Sequence, residues 1–278
     1  MLKIIFIGDI VGAIGRAAVK IIVPKLRRKL KPDLVIANAE NIAHGVGVTA
    51  STLQEVLDAG VDYCTSGNHV FARPGNDQLL NNDAKWRLLR PANYPAGADG
   101  IGEKVINISP PRLGVGEAGQ KNILLVNLMG RVFMDASLDC PFRAFDHIIE
   151  KYADKKIDAT IVDFHAEATS EKTAFKLYAD GRATAILGTH THIVTADEHI
   201  TAKGTAYISD VGMVGAFDSV IGVKPEAAVS NFLNAADGQP LEPVETGACL
   251  FNAVLVAIDT NNKKTTGIKR IRKIVKIN

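Results

Sequence analysis

Residues able to bind a metal ion stand directly after, or at the end of, five short apolar stretches. Asp9 follows residues 3–7, Glu40 and Asn41 follow 34–37, and Asn68 and His69 follow 61–65. His165 closes the stretch 159–165, and His190 and His192 come after 183–187. Carboxylate, imidazole and amide oxygen together suit borderline-hard divalent metals such as iron or manganese, and zinc is tolerated. These side chains outnumber the ligands one tetrahedral ion needs. They point to two ions sharing a carboxylate about 3.5–4 Å apart, as in two-metal hydrolases. Taken singly, each piece has a plainer reading. Asp9 could cap a turn or a helix. Gly67-Asn68-His69 could be an ordinary turn, because Asn and Gly favour turn conformations. His190-Thr191-His192 could be a ligand pair or a polar strand end. Their coincidence, in order, carries the expectation of a metal site.

Such a site needs elements that bring five chain-distant loops together. The spacing predicts a strand over 3–7 and a helix over 16–31, with Pro24 a kink or break. A second strand follows over 34–37, then a helix over 49–59 capped by Thr49 or Ser51 and ended by Gly60. A third strand covers 61–65. The stretch 93–119 is rich in Gly and Pro, with a strand near 105–108. Further strands are predicted over 123–127, 159–165 and 183–187, separated by helices over 142–152 and 171–179. The last third reads as strands over 205–208, 247–259 and 264–277. Nearly continuous apolar strands alternating with helices imply an α/β protein whose sheets are covered by helices. In such sheets the loops leaving the carboxyl ends of strands converge on one edge, where sites are built. No repeat or linker divides the chain, so residues 1–278 read as one domain.

Composition narrows the function classes. The 278 residues are 47% hydrophobic and 6% aromatic, and 32 Lys plus Arg against 30 Asp plus Glu give a net charge of +2. That balance gives no bulk electrostatic reason to collect on long nucleic acid or an anionic membrane. No apolar run reaches the roughly 20 residues of a membrane-spanning helix. The apolar start is interrupted by Asp9 and lacks a basic leader and cleavage site, unlike a signal peptide. Cys64, Cys140 and Cys249 are odd in number, fit no zinc spacing and read as reduced thiols of a cytoplasmic protein.

Beyond these local readings, Gly8-Asp9, Gly67-Asn68-His69, the single His165 and Gly188-Thr189-His190-Thr191-His192 resemble the signature of calcineurin-like metallophosphoesterases. Val11 stands where that superfamily usually carries histidine in Asp-x-His, and Ala39-Glu40-Asn41 replaces its usual Gly-Asp. Both departures are similar to a bacterial subfamily of 2′,3′-cyclic-nucleotide phosphodiesterases. The likeness extends through 163–171, Thr195-Ala196-Asp197, 204–207, 210–213 and 218–222. The resemblance implies a four-layer α/β/β/α sandwich of two mixed sheets. It implies one ion on Asp9, Glu40, Asn41 and His192, and a second on Glu40, Asn68, His165 and His190, with Glu40 bridging. Iron is the implied metal, with manganese or zinc as alternatives, and His69 is the implied proton donor to the leaving group. The implied reaction is in-line attack of a bridging hydroxide on a small phosphodiester such as a 2′,3′-cyclic nucleotide.

Other residues carry weaker expectations. Arg131 could orient the phosphodiester or be a solvated surface arginine. Asp163 and Glu167 are candidates to fix the His165 ring. The glycines of His44-Gly45-Val46-Gly47 allow close approach to a phosphate, although some members of the subfamily carry lysine where Val46 stands. Trp86 and Tyr94 could stack on a base or pack in the core. His147 and His199 read as surface side chains, and residues 25–29 as a solvated helix face. A dinucleotide-binding reading fails, because Gly8, Gly12 and Gly15 have the wrong spacing for G-x-G-x-x-G. A metal-bound regulator that recognises a cyclic nucleotide or protein partner with little turnover is the rival from another class. Self-association into a homo-oligomer is left open.

Overall fold

Strand β1 (Leu2–Ile7) splits its side chains between two cores, and the rest of the fold follows from that split. In a strand successive side chains point to opposite faces. Ile4 and Phe6 accordingly join one buried cluster and Ile5 and Ile7 another. The same division recurs in β3 (Leu34–Asn38), where Leu34 and Ile36 part from Val35 and Ala37. The computed structural model describes residues 1–108, 119–134, 137–234 and 238–278. Part of the Gly- and Pro-rich stretch, 109–118, lies outside them.

The remaining strands are β2 (Asp9–Ile10), β4 (Tyr63–Thr65), β5 (Glu103–Ile108), β6 (Lys121–Met129), β7 (Ala159–His165) and β8 (Ala185–Thr189), followed by β9 (His199–Ile200), β10 (Ala206–Ile208), β11 (Met213–Ala216), β12 (Gly247–Asp259) and β13 (Lys264–Ile277). They form two mixed sheets. The first runs β2-β11-β12-β1-β3-β4, with β13 also paired to β12. The second runs β5-β6-β7-β8-β10-β9. Helices α1 (Gly12–Leu30) and α2 (Ala50–Asp58) pack Ile14, Val19, Leu26, Leu53 and Val56 on the outer face of the first sheet. Two short helices follow, α3 (Asn76–Leu80) and α4 (Asp83–Trp86). Helices α5 (Pro141–Lys151) and α6 (Thr169–Ala179) cover the second sheet with Phe145, Ile148 and Phe175. Between the sheets, Ile4, Phe6 and Ile36 meet Ile123, Ile161 and Leu187. Four layers result, α/β/β/α, as expected. Phe6 is fully buried in the middle, so truncating it to Ala would cost about 3–5 kcal/mol.

Differences from the sequence reading have local causes. Helix α1 begins at Gly12, where the pairing of β2 with β11 ends, and continues through Pro24 rather than breaking there. Arg27, assigned to a solvated face, donates to the Gly60 carbonyl at 2.7 Å and pairs with Asp62. Helix α7 (Pro225–Leu233) was not anticipated, although Pro225 at its first turn is a start signal. Thr49 caps α2 in a reciprocal capping box with Thr52. No helix among the described residues is long and apolar enough to cross a membrane.

Candidate metal centre

In the first sheet β1, β3 and β4 run parallel, and in the second so do β6, β7 and β8. Asp9 opens β2 just after β1, Glu40 and Asn41 follow β3, and Asn68 and His69 follow β4. His165 is the last residue of β7, and His190 and His192 follow β8. The two sheets thus deliver all eight side chains to one edge.

His165 Nε2 stands at the middle of the cluster. It lies 3.0 Å from Asn68 Oδ1, 3.0 Å from His190 Nδ1 and 3.2 Å from Glu40 Oε1. Atoms of Glu40, His165 and His190 all fall within 4.8 Å of one another. Protons can be assigned from the neighbours. Thr189 donates its hydroxyl hydrogen to Asp163 Oδ1 at 2.7 Å, so its oxygen accepts from His165 Nδ1 at 2.9 Å. That leaves a lone pair on His165 Nε2. His190 Nε2 faces Glu167 Oε2 at 3.2 Å, which directs the lone pair of Nδ1 inward. With both rings neutral, lone pairs of two imidazoles, a carboxylate and an amide oxygen converge on one point, and without a cation a proton on His165 Nε2 fills it. Such a set fits a cation and little else.

The second group of candidate ligands adjoins the first. Asp9 is fully buried, its Oδ2 accepts from the His190 backbone N–H at 3.1 Å, and its Oδ1 has no hydrogen-bond partner among the described residues. An orphaned buried carboxylate oxygen is costly unless something charged completes it. The Asn41 amide lies 3.3 Å from His192 Nε2 and 3.3 Å from Glu40 Oε1. His192 Nδ1 donates to the Ile221 carbonyl at 2.9 Å, which again leaves the lone pair on Nε2. Ile221 itself has φ of 47°, a left-handed conformation costly for a β-branched residue. Strain there aims the carbonyl at His192. Asp9, Asn41 and His192 thus lie beside the Glu40, His165 and His190 group.

The charges explain the titration of the group. Burial raises the Glu40 carboxyl, but His165 and His69 outweigh it and hold Glu40 at about 2. Burial lowers the His165 imidazolium, yet Glu40, Asp9 and Asp163 outweigh that and raise it to about 9. Burial and repulsion from His165 push His190 down to about 3. Asp9 is raised, chiefly by burial.

A shell of hydrogen bonds fixes these side chains. Asp163, fully buried, accepts from Thr65 at 2.5 Å, Asn38 at 3.1 Å and Thr189 at 2.7 Å, tying both sheets together beneath the site. Its link to His165 passes through Thr189. Glu167, expected on His165, reaches His190 instead, because it lies beyond the strand end where His165 points inward. Buried Lys172 pairs with Asp210 at 2.8 Å, and Asp210 accepts from the Thr191 backbone at 3.0 Å and hydroxyl at 2.8 Å. Thr191 is thereby held between His190 and His192, whose φ values of 100° and 65° need an external brace. Gly67 is required where the chain crosses the His165 ring, since a Cβ there would stand 2.2 Å from Nε2.

Arg131 is not brought to this cluster. It is exposed and lines a separate cavity with Arg143, His147 and Lys151. Val11, in the place of the superfamily's usual histidine, lines the metal-site cavity as an apolar wall, and so does Gly45. Tyr94 packs edge-on against Phe71, and Trp86 packs against the core of the first sheet. His147 and His199 are surface residues. Thr189, Thr65, Asn38, Lys172 and the Ile221 carbonyl were missed. Thr189 had a signal, since it sits inside the Gly-Thr-His motif.

Comparisons with known proteins identify the family and the fold. A model of the YmdB-like protein family matches residues 5–271. A Bacillus subtilis protein named 2′,3′-cyclic-nucleotide 2′-phosphodiesterase is 41% identical over 97% of this chain and 96% of its own. A crystal structure described as a novel phosphatase, from Mycoplasma pneumoniae, superposes with TM-score 0.87 at 37% identity, covering 99% of this chain and 94% of that one. A Thermus thermophilus 5′-nucleotidase precursor shares the fold alone, at TM-score 0.56 and 12% identity, covering 99% of this chain and 54% of that one. The chain belongs to the YmdB-like family.

Proposed function

We propose that this chain is a single-domain cytoplasmic phosphodiesterase that cleaves small phosphodiesters, 2′,3′-cyclic nucleotides first among them, with two transition-metal ions. The observation that carries the reading is the convergence of ligand atoms of Glu40, His165, His190 and Asn68 beside the orphaned Asp9 carboxylate. The name of the Bacillus subtilis relative supports the substrate class. Asp9, Glu40, Asn41 and His192 would hold one ion and Glu40, Asn68, His165 and His190 the other, with iron the first choice and manganese or zinc able to substitute. Bound there, such ions supply Lewis acidity to the phosphoryl oxygens and to the attacking water.

The protein's own part is proton placement. The His69 backbone N–H donates to Glu40 Oε2 at 3.0 Å, which anchors the residue beside the cluster without using its ring. The Asn68 amide nitrogen lies 3.2 Å from His69 Nε2. Nδ1 of the same ring has no protein partner among the described residues. As the imidazolium, His69 would give its Nδ1 proton to a departing ribose oxygen and revert to neutral imidazole. A ribose alkoxide is strongly basic and needs that proton, whereas p-nitrophenolate leaves without help. General acid catalysis contributes about 10²–10⁴-fold where it is needed. His69→Ala is therefore expected to lose far more rate on 2′,3′-cyclic AMP than on bis(p-nitrophenyl) phosphate, with metal content unchanged. Equal losses on both substrates, or loss of metal, would make His69 a ligand or a structural residue.

A further inference from the structure

The cavity over the ligand cluster does not end at the ligands. It encloses about 470 Å³ and is lined at one part by Glu40, His69, His190 and His192 and at another by Ile221, Val223, Phe232 and Leu241. That volume lies within the range of about 300–1,000 Å³ that accommodates a whole small organic ligand rather than a phosphate alone. Phe232 is 83% exposed and Leu241 55% exposed, with Ile221 at 48%. Large apolar side chains left bare beside a polar cluster mark a surface that something covers. Phe232 stands on helix α7, Leu241 after it and Ile221 before it, and α7 itself buries only Ala228.

The chemistry of this wall limits what it can recognise. Asn231 is its polar side chain, and its amide is already partly used: Nδ2 donates to the Gln239 carbonyl at 2.9 Å, and Oδ1 accepts from the Gln239 backbone N–H at 2.6 Å. Asn231 therefore spends one N–H and one lone pair on positioning the Gln239–Leu241 segment. The rest of the wall is a flat aromatic ring and aliphatic groups, which accept any π-face and read no base edge.

We propose that the wall formed by Phe232 and Leu241 is the subsite for the base of the nucleotide substrate, which it holds by stacking without distinguishing one base from another. The inference rests on the phosphodiesterase reading above, and it assigns specificity for nucleosides over plain phosphodiesters to two side chains remote from the metals. Base stacking on an aromatic residue changes binding by roughly 5- to 150-fold.

The test uses the full-length, metal-loaded protein and two substrates, 2′,3′-cyclic AMP and the base-free ribose 2,3-cyclic phosphate. The unmodified enzyme is expected to prefer the nucleotide by about fivefold or more in kcat/KM, mostly through KM. The double variant Phe232→Ala, Leu241→Ala should bring the nucleotide down to the base-free substrate while leaving the latter unchanged. Cyclic nucleotides of all four bases should fall within about tenfold of one another. Both side chains are largely solvent-exposed, so the variant keeps its core. The proposal is overturned if the unmodified enzyme shows no preference, if the variant slows both substrates equally, or if one base is favoured by about a hundredfold. It is overturned too if the variant keeps its preference but changes sedimentation, which makes the patch a contact between copies of the chain. Cleavage of neither substrate by the unmodified enzyme removes the phosphodiesterase reading itself, and the subsite with it.

Discussion

The two sheets bring different chemistry to the same edge. Loops of the first supply carboxylates and amides, Asp9, Glu40, Asn41 and Asn68. The second supplies imidazoles, His165, His190 and His192. A carboxylate can coordinate through either oxygen and needs no tautomer to be chosen. An imidazole has one useful lone pair, and its direction depends on what the other nitrogen touches. Accordingly each histidine here has a dedicated acceptor: Thr189 for His165, Glu167 for His190 and the Ile221 carbonyl for His192. The difference teaches where sensitivity should lie. In the first sheet it lies in the charge itself, and in the second it is shared with the hydrogen-bonding partners.

Glu40→Gln strikes the charged half hardest, because Glu40 faces His165, Asn41 and His69 at once. It is expected to lower turnover of 2′,3′-cyclic AMP by about a thousandfold or more, equivalent to about 4 kcal/mol of lost transition-state stabilisation. Turnover within tenfold of the unmodified protein would break the assignment of Glu40 as the shared ligand. Next in size, Asn68→Ala should remove most activity and weaken one metal equivalent. His147→Ala, an exposed side chain on α5, should do neither. Identical behaviour of the two variants in elemental analysis and kinetics would show the cluster to be misassigned.

The smallest effect sharpens the comparison most. Asp163→Asn leaves every proposed ligand in place but weakens the acceptor that directs the Thr189 hydroxyl. Loss of a partner of this kind typically costs about 10–100-fold in metal affinity. A competition titration with a chelator measures it. If Asp163→Asn matched Glu40→Gln in severity, the contrast between the two halves would collapse. If it had no effect, the relay through Thr189 would carry no weight.

Much of the site was legible because its ligands end apolar strands, and strand ends can be read from hydrophobic runs. The runs over 159–165, 247–259 and 264–277 match β7, β12 and β13 to the residue. What escaped had no periodic signature. The two-residue strand β2 pairs with the short β11 across about two hundred residues of chain, and β11 in turn lies between β2 and β12. The relay Asp163–Thr189–His165 joins neighbouring strands whose register no single strand reveals. The wall at Phe232 lies on a helix that buries almost nothing, so its pattern gave no amphipathic stripe. Arg131 was drawn toward the site by its place after a strand, but β6 delivers it outward to another cavity.

The shared carboxylate is the centre of the account, and metal content tests it most directly. Protein purified without oxygen or chelator should carry two transition-metal ions per chain by elemental analysis. Glu40→Gln, prepared alongside, should weaken the binding of both ions together. Unmodified protein with no stoichiometric metal, or with a single ion that Glu40→Gln leaves in place, would contradict the account.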